Sequence, residues 1–323
     1  MEKVLITGIT GFVGSHLADL YLNIGVEVCG LRRYHLSSMD KVAHIEDQIM
    51  WADCDMTDQK AVVKAIRYLM PDKIFHMAAQ SFVSPSWDHP QLYMDANYRM
   101  TVNLLEACLA NDINPRILLP GSGEEFGEIS ESELPITEDT VLRPVNPYAV
   151  TKIAQDMIGY VYHRSYGMDV VRTRAFNHEG PRRSHVFGIP WYAYQIARIE
   201  KGLQEPLVRV GHLDDRRNFT HVTDMVEAYR LAIQLCESGE LYLIGSDRDE
   251  DVHTFREALE NLIDRSTVDS ITYEIDSQYV RPTQVPRLIC DARKFVSLTG
   301  WKPKLGFDRI LDDTLAYQRA QII

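Results

Sequence analysis

Apolar positions along the first half of the chain follow two alternating periods. Short segments with apolar centres at 4–7, 26–31, 49–54, 73–77, 116–120 and 169–174 have the length of strands in a covered sheet. Between them, at 14–24, 58–69, 91–110 and 147–166, apolar residues recur at three- and four-residue spacing, as on one face of a helix. In the first of these helices Val13, Leu17, Leu20, Tyr21 and Ile24 share that face. Strand and helix in strict alternation predict a parallel sheet with right-handed crossovers and helices on both faces. The second half is less regular. Helices are expected near 191–201, 222–236, 253–263 and 307–320, with strands near 207–210, 241–244 and 271–275.

The first strand runs into Thr7-Gly8-Ile9-Thr10-Gly11-Phe12-Val13-Gly14, a T-G-x-x-G-x-x-G turn that opens a helix. Gly8 allows a tight turn off the strand, Gly11 lets a pyrophosphate approach the backbone, and Gly14 lets the helix lie close to the sheet. The free N–H groups and positive dipole end of the helix attract the same anion. The plainer alternative is an ordinary strand-to-helix turn. With the alternating pattern around it, the turn identifies an α/β chain with a Rossmann-type doubly wound parallel sheet that binds a dinucleotide. Its 323 residues exceed one compact core, so two lobes are expected: residues 1–175 for the dinucleotide and a smaller mixed α/β lobe at 176–323, some of whose segments return to the first.

Composition narrows the class. A net charge of -12 argues against nucleic-acid binding, although local arginines can still hold an anionic ligand. No apolar run is long enough to span a bilayer, and the N-terminus enters a strand without a signal-peptide pattern, so a cytoplasmic protein is expected. Cys29, Cys54, Cys108, Cys236 and Cys290 are odd in number and form no CxxC pair, which reads as reduced, packed thiols. No cysteine or histidine set has a metal-ligand spacing, and no metal is expected.

Candidate chemistry sits at the predicted carboxyl ends of the strands. Asn146-Pro147 starts a helix that carries Tyr148 and, four residues on, Lys152, so phenol and ammonium share one face. A lysine beside a phenol lowers the phenol's pKa and makes Tyr148 an acid/base near neutrality. Such a pair also occurs on plain solvated helix faces. Ser122 follows the strand at 116–120, where its hydroxyl can bond a reacting carbonyl oxygen. Glu124 lies on the same rim. Glu125 is read as a surface carboxylate of that Gly-Ser turn.

The glycine turn, Asp55 after the third strand, His76-Met77-Ala78-Ala79-Gln80, Ser122 and the Tyr148/Lys152 pair together resemble the extended short-chain dehydrogenase/reductases that modify nucleotide sugars. Ala78 to Val83, Phe176-Asn177-His178-Glu179-Gly180-Pro181-Arg182-Arg183 and Arg281-Pro282-Thr283 are similar to GDP-mannose 4,6-dehydratases. Gly121 to Gly127, Asn97 and Phe219 to Asp224 are similar to the neighbouring GDP-4-keto-6-deoxymannose reductases. The resemblance implies that Gly8, Thr10, Gly11, Phe12, Val13 and Gly14 hold a pyrophosphate and that Asp55 and Met56 meet an adenine. It implies further that Met77, Ala78, Ala79, Gln80 and Ser81 line the cofactor, with His178 and Arg183 beside it. Asn177, Arg217 and Arg281 match positions that meet the sugar nucleotide, along with Ser81, Ser122 and Glu124. Arg32 and Arg33 end the second strand, where two guanidiniums suit a 2′-phosphate and imply NADP rather than NAD. The plainer reading is a pair of solvated arginines. Gln284 and Asn218 stand where the family commonly has acids.

The implied activity is an NADP-dependent GDP-mannose 4,6-dehydratase with Ser122, Glu124, Tyr148 and Lys152 as its catalytic residues. An NADPH-dependent reductase of the 4-keto sugar, a dehydratase of a GDP-heptose, and a non-enzymatic NADP sensor are the alternatives. The family implies a homodimer, formed by the helices at 91–110 and 147–166, or a homotetramer.

Overall fold

The computed structural model describes residues 2–322, with all their side chains except that of His35. Six parallel strands come from the first half: β1 (Lys3–Thr7), β2 (Glu27–Arg32), β3 (Met50–Asp53), β4 (Lys73–His76), β5 (Arg116–Ser122) and β6 (Val170–Ala175). The strand Leu241–Ile244 joins beside β6 and completes a seven-stranded sheet ordered Leu241–Ile244, β6, β5, β4, β1, β2, β3. The order in which strands join the sheet reverses between β1 and β4, which run parallel and pair Thr7 with His76 at their carboxyl ends. That crevice is where an open α/β sheet receives its ligand.

Both sheet faces are apolar because side chains alternate along each strand. Val4 and Ile6 of β1 and Leu118 of β5 enter a core with α1 (Phe12–Asn23) and a later helix. Leu5, Ile117 and Leu119 enter the opposite core with α2 (Gln59–Leu69) and the helices that follow it. The helix expected over 91–110 is divided into α3 (Pro90–Met94), a widened π turn at Asp95–Arg99, and α4 (Met100–Ala110). The physical reason is Asn97, fully buried in that turn. Its amide holds the Gln80 backbone at 2.8 and 3.1 Å and donates to Thr151 Oγ1 at 2.9 Å.

The long helix α5 (Pro147–Tyr166) begins as its sequence predicts. Asn146 Oδ1 accepts from the Ala149 N–H at 2.8 Å, Pro147 fills the first turn, and Gly167 ends the helix at φ 67°. After β6 the chain builds a second core from α6 (Gly188–Glu200), the strand Leu207–Val210, the helix Phe255–Asp264 and the last helix Phe307–Gln321. Between them, α7 (Val222–Leu235) returns to cover α1. The helix expected at 253–263 starts later, at Phe255, because Thr254 caps it in a box with Glu257 while Val252–Thr254 pairs with Arg216–Asn218. All five cysteines are buried and free. Among the described residues no helix is long and apolar enough to cross a membrane, and no cluster of His, Cys, Asp or Glu could hold a metal ion.

Candidate active site

The glycine turn has no room for side chains. Gly8 takes φ +64°, and a Cβ there would lie 2.7 Å from the Ala78 nitrogen; one on Gly14 would lie 2.3 Å from the Gly8 carbonyl oxygen. Gly11 is the N-cap of α1 and makes no side-chain cap, so the first N–H groups of the helix face the crevice uncapped. This cradle fits a pyrophosphate, and with it a dinucleotide.

Two cavities open from the strand ends. The first, about 270 Å³, brings together Gly8, Gly11, Phe12, Val13 and Gly14 with Met77, Ala79 and Ser81. Ser122, Glu124, Tyr148 and Lys152 line it too, as do Asn177, His178, Arg183 and Arg281. The second, about 410 Å³, runs under the second lobe and holds Arg217. Glu124, Asn177, Phe187 and Arg281 line both, so Glu124 stands on the seam between them.

Other expected residues lie outside these walls. Ala78 and Gln80 are held through their backbones, Ala78 N–H by Thr7 Oγ1 at 3.1 Å and Gln80 by Asn97. Thr10 lies in the turn without lining either cavity. Met56 is buried in the core below β3, where its apolar side chain completes the packing. Asp55 beside it is exposed and accepts from Thr57 N–H and Oγ1 at 2.9 and 2.7 Å. Arg32 is already engaged by Asp53 at 3.1 Å and Glu46 at 3.2 Å and lies over Trp51, whereas Arg33 is exposed.

Tyr148 and Ser122 line the first cavity together, and the Ser122 side chain favours the phenolate. The phenol's pKa stands above the ordinary tyrosine value, against the expectation that Lys152 lowers it. Burial is the main cause, Glu124 and Glu125 add to it, and the Ser122 side chain and Arg183 charge only partly offset it. Lys152 instead donates from Nζ to Pro120 O and Gln155 Oε1, both at 2.5 Å. Burial pushes its pKa down, and the charges of Glu125 and Asp156 oppose that. Glu124 is held by Asn146 Nδ2 at 3.0 Å and faces Arg281 at 4.0 Å. Arg183 lies 4.1 Å over the Phe187 ring and pairs with Glu179 at 3.1 Å. Burial lowers the pKa of His178 to about 4, so its imidazole is neutral.

Two buried features escape the sequence reading. Glu125 is fully buried, not a surface carboxylate, because its side chain folds back onto the Ser122 N–H and Arg174. Its legible signal is Arg172-Thr173-Arg174, two cations inside a strand that otherwise reads as core. The second is a chain from the glycine turn to α5. Thr101 donates to Asn97 O at 2.7 Å, so its oxygen accepts from His76 Nε2–H at 3.0 Å. His76 Nδ1 then accepts from the Thr7 hydroxyl at 2.9 Å. Burial, with Lys152 second, lowers the His76 pKa to about 3 and keeps that ring neutral.

A glycine cradle at the β1/β4 crevice, with a serine strand end and a Tyr-x-x-x-Lys helix, defines an enzyme of the extended short-chain dehydrogenase/reductase class. Residues 5–314 match the family model described as GDP-mannose 4,6 dehydratase, and the chain belongs to that family. It is 30% identical over 314 residues to a GDP-6-deoxy-D-mannose reductase of Pseudomonas aeruginosa, spanning 96% of this chain and 95% of that protein. It is 32% identical over 320 residues to GDP-mannose 4,6 dehydratase 2 of Arabidopsis thaliana, spanning 95% of this chain and 84% of that one. The solved structure of RMD from Pseudomonas aeruginosa complexed with NADPH superposes with a TM-score of 0.85 at 28% identity, covering 100% of both chains.

Proposed function

We propose that this enzyme is an NADP-dependent GDP-mannose 4,6-dehydratase whose product is GDP-4-keto-6-deoxymannose. The observation that carries the reading is Glu124, a carboxylate on the seam of the two cavities, on the rim that holds Ser122 and Tyr148. Residues 1–175 would hold the cofactor, with Gly8 to Gly14 at its pyrophosphate, Arg32 and Arg33 at a 2′-phosphate and Lys152 along the first cavity, joined there by His178 and Arg183 from the following segment. Residues 176–323 would cover the sugar nucleotide, with Arg217 and Arg281 on its diphosphate. The NADPH complex of the Pseudomonas relative supports NADP over NAD.

Bound NADP supplies the hydride acceptor for sugar C4 and the donor for C6. Tyr148 would take the O4 proton once the Ser122 side chain, the charge of Arg183 and the positive charge of a bound nicotinamide together offset the burial that raises its phenol. Ser122 steadies the oxygen as it becomes a ketone. The ketone acidifies C5–H, and Glu124 removes that proton. Glu124 then hands it to the departing O6 hydroxyl, which leaves as water, and the proton that Tyr148 took from O4 goes to C5 as hydride returns to C6. Arg281 and Asn146 keep Glu124 aimed across the seam.

A second reading, an NADPH-dependent reductase of the 4-keto sugar, is favoured by the match to the Pseudomonas enzyme. In it Tyr148 protonates O4 and Glu124 has no transfer to make. Incubating the protein with GDP-mannose and catalytic NADP, followed by NMR, tests the two. A C6 methyl signal with a C4 ketone supports the dehydratase. Unchanged GDP-mannose, with NADPH oxidised on the 4-keto-6-deoxy sugar, moves the assignment to the reductase.

A homodimer is also proposed. Val150, Met157, Tyr160 and Val161 expose 40–45% of their surfaces on one side of α5. A second copy would cover this stripe.

A further inference from the structure

Beneath Ser122 and Lys152 runs a chain of buried charges. Glu125 Oε1 accepts from the Ser122 N–H at 2.7 Å, and Oε2 accepts from Arg174 Nε at 2.7 Å. Arg174 Nη2 donates to Asp156 Oδ2 at 2.7 Å, and Arg172 Nη1 donates to Asp156 Oδ1 at 2.9 Å. Glu125, Arg174 and Asp156 have 0%, 2% and 3% of their surface exposed. Gly121 keeps the space open, since a Cβ there would lie 2.3 Å from Glu125 Oε1.

A buried ionic chain is poor economy as a stabiliser, because well-packed apolar residues of the same volume do as well or better. This one ends on two groups of the site. Its Glu125 carboxylate holds the amide of Ser122, whose side chain favours the Tyr148 phenolate and also accepts from Glu124 N–H at 3.2 Å. Its two carboxylates also act on Lys152 by charge.

We infer that Glu125 is a positioning residue of the active site, clamping the Ser122 strand end onto Arg174 and, through it, onto Asp156. The inference rests on the roles proposed above for Ser122, Tyr148 and Lys152. The charged and titratable groups around Lys152 are Glu125 after β5, Asp156 and Tyr148 on α5, Arg172 and Arg174 on β6, and neutral His76 on β4. Burial raises the Glu125 pKa, which Arg174 opposes and Asp156 reinforces; burial lowers that of Lys152, which Glu125 and Asp156 oppose. Removing the Glu125 charge therefore lets Lys152 lose its proton at a lower pH.

The test is Glu125→Gln, which keeps the shape and removes the charge, in the full-length protein with NADP. The expected result is an unchanged KM, a lower kcat, and an alkaline limb of the pH–rate profile moved down by about one pH unit, with about tenfold less turnover beyond it. Glu125→Asp should restore the limb. A purely structural role would lower the melting temperature and leave the profile in place, which overturns the inference. A [13C]lysine NMR titration, with Lys152 assigned by Lys152→Met, reads the same shift without any substrate. It therefore stands even where GDP-mannose and the 4-keto sugar both fail as substrates and the functional reading falls. If Glu125→Gln does not fold, the wild-type titration decides. A two-step curve for Lys152 shows the coupling, and a single step at the ordinary lysine value refutes it.

Discussion

Gly14→Ala should separate the geometry of the cofactor cradle from the stability of the fold. The new Cβ would lie 2.3 Å from the Gly8 carbonyl oxygen and 2.8 Å from Ile9 Cα. An ordinary carbon–oxygen contact is about 3.3 Å, so the turn must retreat from the helix by roughly 1 Å. A displacement of that size takes N–H···O bonds beyond their useful range of about 3.2 Å. One charge-assisted bond lost to the anion is worth about 1.5–3 kcal/mol, or about tenfold to a hundredfold in Kd. Overpacking adds about 1–3 kcal/mol of lost stability. Gly25→Ala is the control. Its φ is +75° with nothing within 4 Å of the added Cβ, so it strains the backbone far from the cradle. Calorimetric titration with NADP and a thermal melt on both variants provide the readouts. Gly14→Ala should lose affinity and stability together, and Gly25→Ala stability alone. If Gly14→Ala binds NADP within twofold of the wild type, Gly8 to Gly14 do not hold the pyrophosphate.

Asp156→Ala should cost about 3–5 kcal/mol in urea unfolding, because it removes the carboxylate shared by Arg172 and Arg174; a loss under about 1 kcal/mol would show the pair already solvated. Acid should destabilise the fold through its buried imidazoles. Burial holds His16 and His178 at about 4, so the unfolded chain gains protons that the folded one refuses, and stability present above pH 6.5 is lost as pH falls towards 4. Glu125 and Glu179, raised by burial, act in the opposite sense over the same window, so the readout is site-resolved: His16 and His178 ring NMR signals that titrate near the ordinary imidazole value refute the burial of neutral imidazoles. Replacing Arg32 and Arg33 together by Ser should lower the NADP-to-NAD affinity ratio about tenfold or more, read by parallel titrations. An unchanged ratio would place 2′-phosphate recognition elsewhere.

Much of this was legible in one dimension. Strand and helix periods are local, so the order of β1 to β6 and the cap of α5 at Asn146-Pro147 follow from neighbouring residues. The glycine turn is also local, since its spacing carries its own steric reason. Local pattern likewise placed Ser122 and Glu124 after a strand and Tyr148 at the start of a helix, and the structure gathers them around one cavity. Three things required the third dimension. The return of Leu241–Ile244 beside β6 depends on pairing across about seventy residues of chain, which no local period records. The burial of Glu125 depends on Arg174 and on the missing Cβ of Gly121, which meet only in the folded sheet. The acidity of Tyr148 turns on burial. A helix face puts Lys152 four residues away, but desolvation acts from every side and outweighs that single neighbour, while the ammonium turns to Pro120 and Gln155. Spacing along the chain decided which groups share a face, and packing decided which of them are charged.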